Sequence, residues 1–376
     1  MHPDAKGTEP RLRVSYDLAC GGETDAAERA REIALEQTVE LPEGTFGDEI
    51  ERFVVGRVEA IERVDSARWR AVVSYDTETI GDEIPQLLNL LFGNISLKQG
   101  IRISEIDWPE GLLGRFPGPR HGVEGLRALC GVTERRALLC TALKPMGLST
   151  RELARRAHDF ALGGIDLIKD DHGLGNQTSA PFEERLFRCQ EAIALANSRS
   201  GGNSLYFPNV TGRASELEQR VELAKSVGCR GFLISPLAVG PDTVRWLAER
   251  FGLAVLAHPS LAGAFLHSDH GIAAEILLGQ IFRMLGSDGV IYPNVGGRFP
   301  FTEETCSAIN SRLRGPLGSL LPSFPVPAGG IDVSRVPHWI SRYGPDTIFL
   351  VSGSLYVQRD LVRASRDLVE AVRRLS

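Results

Sequence analysis

The sequence predicts an α/β protein: a C-terminal (β/α)8 TIM barrel over residues 126–376, preceded by an N-terminal α+β domain of ferredoxin-like type over residues 1–125. Three observations lead there. From residue 137 onward, short apolar runs alternate with amphipathic stretches, the pattern of consecutive strand-helix units on a parallel sheet. Eight such units fit into about 240 residues, the length of this barrel. The first 125 residues lack that alternation, and a chain of 376 residues with 43% hydrophobic content can bury two cores.

In chain order, the N-terminal part reads as a strand at 12–18, a helix at 25–38, strands at 51–64 and 70–76, a helix at 84–92 and a strand at 101–108. The stretch from Gly111 to Gly125 is dense in Gly and Pro, so it reads as an irregular linker or an active-site loop. Barrel strands are expected at 137–144, 166–169, 204–210, 231–235, 254–258, 289–292, 324–328 and 347–351. Helical patterns begin at Ser149 and cover 215–226, 242–251, 272–285 and 359–375.

Charge excludes some partners. A net charge of −6, with no long Lys/Arg run, leaves no basic footprint for nucleic acid or an anionic membrane surface. The N-terminus lacks the apolar core of a signal peptide, and no stretch approaches the roughly 20 apolar residues that span a bilayer, so a cytoplasmic protein is expected. Cys20, Cys130, Cys140, Cys189, Cys229 and Cys306 are scattered without a Cys-x-x-Cys pair, which reads as reduced core thiols.

Barrel chemistry sits at the C-terminal strand ends. The second strand carries Gly-Gly-Ile-Asp-Leu-Ile-Lys-Asp-Asp-His-Gly over 163–173, and alternation puts Leu167, Lys169 and Asp171 on one face, with His172 opening the loop. Two carboxylates and an imidazole can hold a divalent ion, and oxygen donors favour magnesium. Taken alone, the same string also describes a charged strand end. Lys144 ends the first strand, where a metal and an apolar wall would make it a base, or it is a solvated lysine ahead of a helix capped by Ser149. Gly329 and Gly330 after strand seven, with Ser352 and Gly353 after strand eight, read as phosphate cradles, because glycine lets backbone N–H groups approach an anion. Arg298, in the Gly-Gly-Arg loop after strand six, reads as a mobile clamp or a surface arginine on a tight turn. His258 ends strand five, as a catalyst or a structural hydrogen-bonding residue.

Together these segments resemble, in order, the motifs of the RuBisCO large-chain superfamily, over nearly the whole chain. The family pattern Gly-Gly-x-Asp-x-x-Lys-Asp-Asp-Glu is reproduced from Gly163 except at its last position, where His172 stands. Lys-Pro at Lys144, Pro-Asn-Val-Thr-Gly from Pro208, His258, the Gly-Gly-Arg loop and Ala-Gly-Gly-Ile at Gly329 follow. The resemblance implies a Lys169 carbamylated by CO2 that ligates Mg2+ with Asp171 and His172. It also implies a homodimer in which Glu36, from Glu-Gln-Thr-Val-Glu-Leu-Pro-Glu-Gly, and Asn94 complete the partner's site.

Departures from the family define the expected activity. Carboxylases carry a second lysine where this chain has Met146 and Gly147, an arginine where Pro259 stands, and a lysine at Arg298. These losses argue against CO2 fixation and for a RuBisCO-like, non-carboxylating member. The expected chemistry is enolisation of a phosphorylated keto-sugar or 3-oxo sugar acid, by an isomerase or lyase with one phosphate site. Asn94 stands where the salvage enolases have lysine, leaving the 5-methylthioribulose-1-phosphate isomerase type and the 3-oxo-isoapionate-4-phosphate decarboxylase or transcarboxylase type. A catalytically silent phosphometabolite binder and an unrelated Schiff-base aldolase are the alternatives.

Overall fold

Alternating apolar residues make Leu12–Ala19 a strand with one fully buried face, Leu12, Val14, Tyr16 and Leu18. The computed structural model describes residues 11–375, so the first ten residues of the N-terminal segment read above, and residue 376, lie outside it. In chain order the strands among the described residues are β1 (Leu12–Ala19), β2 (Arg57–Arg63), β3 (Arg68–Tyr75), β4 (Ile101–Asp107), β5 (Leu138–Leu143), β6 (Leu167–Asp170) and β7 (Leu205–Phe207). They continue with β8 (Gly231–Ile234), β9 (Ala254–Ala257), β10 (Gly271–Ile272), β11 (Gly289–Pro293), β12 (Phe324–Ala328) and β13 (Ile348–Leu350).

The chain divides into two compact units. Among the described residues, one comprises those up to Phe116 with Leu261–Leu277 and Leu317–Leu320; the other comprises Pro117–Ser260, Leu278–Pro316 and the residues from Leu321 on. The first holds a five-stranded sheet in the order β10-β4-β1-β3-β2, antiparallel except for the β10-β4 edge. Helix Glu23–Glu36 buries Ala26, Ala30, Ile33 and Ala34. At its end the buried Gln37 amide donates to the carbonyls of Asn89 and Leu90 (2.7 Å each) and accepts from Ile95 N–H (3.2 Å). That staple fixes the helix end against the segment after helix Ile84–Phe92.

The second unit is the predicted barrel: an eight-stranded parallel sheet in the order β7-β6-β5-β13-β12-β11-β9-β8. It closes through a bridge between Asn209 and Leu233, where Val210 N–H and Leu233 N–H bond across the gap (3.0 and 2.9 Å). Inward positions fill the interior, among them Leu138, Cys140, Leu167, Phe207, Leu233, Leu256, Ile291, Val326 and Ile348. Each such Leu, Ile, Val or Phe contributes about 1.5–3 kcal/mol of apolar transfer free energy.

Several elements differ from the sequence pattern. The strand read at 51–64 begins with helix Asp48–Phe53, whose first turn carries Asp48, Glu49 and Glu51 where the helix dipole favours acids. The supposed linker from Gly111 includes helices Glu110–Leu113 and Gly122–Leu129, and Val123 and Leu126 of the latter belong to the barrel core. The helix read at 272–285 contains a π turn at Leu277–Ile281. Helix Phe182–Ser200 escapes the apolar periodicity because its inner face carries the fully buried Arg185. All six cysteines are buried and unpaired.

Candidate active site at the barrel mouth

Alternation along β6 decides which acid reaches the mouth. Leu167 lies in the interior cluster, so Lys169 and Asp171 follow it inward. Asp170 takes the opposite face, where it accepts from Arg185 Nε (3.0 Å), the Tyr206 hydroxyl (2.8 Å) and Asn209 N–H (3.0 Å). Of the two adjacent carboxylates, only Asp171 therefore faces the mouth; Asp170 is structural.

Lys169 is 2% exposed, and its amine donates to the Asp170 carbonyl (3.0 Å). Burial lowers its pKa and favours the neutral amine. Asp171 lies 3.5 Å from Lys144 Nζ and 3.4 Å from His172 Nδ1. Burial by itself would raise the Asp171 carboxyl, but the His172 hydrogen bond and the Lys169 and Lys144 amines outweigh it and hold the group well below the ordinary carboxylate range. The His172 ring stacks on His258, with centroids 4.1 Å apart and planes 12° from parallel. Burial, followed by the neighbouring Lys169 and His172, lowers His258 to about 2, so this imidazole stays neutral. Its Nδ1 accepts from Ser260 N–H (3.2 Å) and lies 2.8 Å from Ser260 Oγ, which assigns the ring proton to Nε2.

Lys144, Lys169, Asp171, His172 and His258 thus form one cluster. Among the described residues no three His, Cys, Asp or Glu side chains converge as a ready metal site. Two of the three donors expected for a metal, Asp171 and His172, are adjacent, and the third, Lys169, presents a buried amine that becomes an oxygen donor only once carbamylated.

The glycine loops meet each other. Gly330 has φ +66°, and a Cβ there would fall 2.7 Å from Gly297 N, so the loop after β12 lies directly against the Gly-Gly-Arg loop after β11. Arg298 is exposed on that loop. Ser352 is buried, and its Oγ accepts from Ala142 N–H (3.0 Å), leaving its own proton for another acceptor; Gly353 begins the short helix Gly353–Tyr356. In the other unit, Asn94 Nδ2 donates to Glu36 Oε1 (3.0 Å), so the two residues expected to act across a dimer are a pair, aligned by the Gln37 staple.

Sequence reasoning missed Asn209 as a supporting residue. Its amide donates to the carbonyls of His172 and Leu174 (3.0 Å each) and fixes the loop that presents His172. The signal was the Pro-Asn-Val-Thr-Gly string at the end of strand three.

Comparison with known proteins agrees with this arrangement. The sequence profile described as ribulose bisphosphate carboxylase large chain, catalytic domain, matches residues 122–358. A 5-methylthioribulose-1-phosphate isomerase of Rhodospirillum rubrum is 42% identical over 352 residues, covering 93% of this chain and 92% of its own. A 2,3-diketo-5-methylthiopentyl-1-phosphate enolase of Geobacillus kaustophilus is 31% identical over 375 residues, covering 93% and 90%. The crystal structure of a Rubisco-like protein from Rhodopseudomonas palustris matches with a TM-score of 0.88 at 37% identity, covering 97% of this chain and 98% of that one. Relatives named as an isomerase and an enolase support an enzyme of non-carboxylating, enolase type. With the profile across its barrel and such relatives over more than nine-tenths of its length, the chain belongs to the RuBisCO large-chain family, among its RuBisCO-like proteins.

Proposed function

We propose that this protein is a magnesium-dependent RuBisCO-like enzyme that enolises a phosphorylated keto-sugar or 3-oxo sugar acid. The observation that carries the reading is the convergence of Lys144, Lys169, Asp171, His172 and His258 on one strand-end cluster, with two glycine loops packed together on the same barrel. Lys169, as its carbamate, Asp171 and His172 fit a hard divalent ion: burial lowers the Lys169 pKa toward the uncharged form that adds CO2, and Asp171 is held ionised. When bound, the ion would polarise the substrate's carbonyl and hydroxyl oxygens.

The remaining work falls to the protein. Lys144 exchanges the proton at the substrate carbon, and a neutral His258 offers its Nε2–H to an oxygen where negative charge develops. Gly329, Gly330, Ser352 and Gly353 hold the phosphate, and Arg298 closes over it from the adjoining loop. Glu36 and Asn94 complete the site of the opposite protomer in a homodimer. Exposed apolar residues in the same unit, Leu41 (50%) and Leu97 (83%), support a covering partner there.

The isomerase relative makes 5-methylthioribulose 1-phosphate the first substrate to test, with a 3-oxo-isoapionate phosphate as the second. In D2O with Mg2+ and bicarbonate, NMR should show deuterium replacing the substrate's α proton, and Lys144→Met should slow this exchange at least about 100-fold. Absence of exchange with either compound, alongside a competent control enolase, would refute the reading.

A further inference from the structure

The end of β5 outruns its neighbour. The ladder between β13 and β5 stops at the bond from Val351 N–H to the Cys140 carbonyl (2.9 Å), because the chain then turns into helix Gly353–Tyr356. Beyond that point Ala142 and Lys144 still carry main-chain donors and acceptors that need partners. Side chains take over. Ser352 Oγ accepts from Ala142 N–H (3.0 Å), and the Tyr356 hydroxyl donates to the Ala142 carbonyl (2.9 Å) while accepting from Lys144 N–H (3.1 Å). From helix Thr150–Leu162, Arg156 Nη1 donates to the Lys144 carbonyl (2.9 Å). The Arg156 guanidinium lies 5.0 Å from the centroid of the Tyr356 ring, and Phe160 meets that ring edge-on at 5.4 Å.

We propose that Tyr356 and Arg156 are positioning residues for Lys144. They grip the peptide groups on both sides of its Cα, one through the N–H and the other through the carbonyl, so the backbone at this residue has one conformation and the side chain is delivered to Asp171. Because Tyr356 stands four residues after Ser352, the same helical turn ties the proposed phosphate loop to the proposed proton carrier. The catalytic half of this inference rests on the role given to Lys144 above; the positional half stands on the hydrogen bonds alone. Neither residue touches the reacting atoms. A displacement of about 1 Å at such a group is enough to cost roughly 100-fold in rate.

Two measurements on Tyr356→Phe test it, since that change removes the hydroxyl and keeps the ring under Arg156. The first is independent of any substrate. The chain has five lysines (Lys6, Lys98, Lys144, Lys169 and Lys225), so labelling by trinitrobenzenesulfonate at fixed pH can be followed residue by residue by mass spectrometry. Release of Lys144 from Asp171 should raise its labelling rate at least about threefold, with Lys98 and Lys225, which are held by Glu32 and the Phe251 carbonyl, unchanged. The second is exchange kinetics, where kcat should fall roughly 10- to 100-fold with KM altered less than about twofold. Should Tyr356→Phe fail to fold, Arg156→Gln removes the second grip and must raise Lys144 labelling in the same way. An unchanged Lys144 rate in a folded variant, or a loss confined to KM, overturns the proposal. A raised rate in a protein that exchanges no ketose phosphate would leave the positioning intact and refute the enolase reading instead.

Discussion

His172 is the residue at which this chain parts from its family's metal pattern. Its Nδ1 faces Asp171 at 3.4 Å and its ring lies on His258, so it is built into the cluster rather than turned away. A nitrogen donor suits a hard cation less well than a carboxylate oxygen. His172→Glu should therefore tighten Mg2+ binding by about tenfold in bicarbonate buffer, measured by isothermal titration calorimetry. Equal affinities in the two proteins would show that position 172 does not touch the ion. His258 illustrates the opposite case, a residue whose address was readable and whose protonation was not. Its neutral state and its tautomer come from burial and from Ser260, two residues further on.

At the scale of elements, the buried pair of Asp170 and Arg185 explains how a four-residue strand can present a site. Arg185 is fully buried; besides Asp170 it donates to the carbonyls of Ala180 (2.6 Å), Gly175 (2.8 Å) and Leu174 (3.3 Å). Helix Phe182–Ser200 is thereby locked to β6 and to the loop that follows His172. Removing one member of a buried pair leaves the other charge uncompensated. Arg185→Met should lower the unfolding free energy by about 3–5 kcal/mol in urea denaturation. On the same helix, Arg188→Met, whose partner Glu184 is exposed, should cost less than about 1 kcal/mol. Similar losses from both would mean that Asp170 is satisfied without Arg185.

For the whole molecule, the decisive question is whether one site is shared by two chains. Glu36 and Asn94 form their own hydrogen-bonded pair, with exposed Leu41 and Leu97 in the same unit, as expected of a surface made for another protomer. If so, Glu36→Gln and Lys169→Met, each inactive alone, should complement when subunits are exchanged. Random pairing makes half the dimers mixed, each with one intact site, so activity should return to about one quarter of the wild-type value. No recovery in an exchanged dimer would confine the site to one chain.

The barrel was legible in the sequence because eight apolar runs, each the length of a strand and separated by helix-length intervals, can bury their surface in few other ways. Lys169, Asp171 and His258 were legible because strand alternation and strand-end address are local properties of the chain. Helix Phe182–Ser200 was not, since a buried arginine looks like a surface residue until its partner on β6 is known. For the same reason the sequence, which set Asp170 and Asp171 on opposite faces, could not name Arg185 as the partner that holds Asp170, nor anticipate the grip of Tyr356 on a backbone more than 200 residues away. What the sequence alone determined is the fold class and the strand ends to which the proposed chemistry is assigned. What holds Asp170 away from the mouth, which histidine stays neutral and which side chains hold Lys144 were decided by tertiary structure, because burial and hydrogen-bond partners depend on residues distant along the chain.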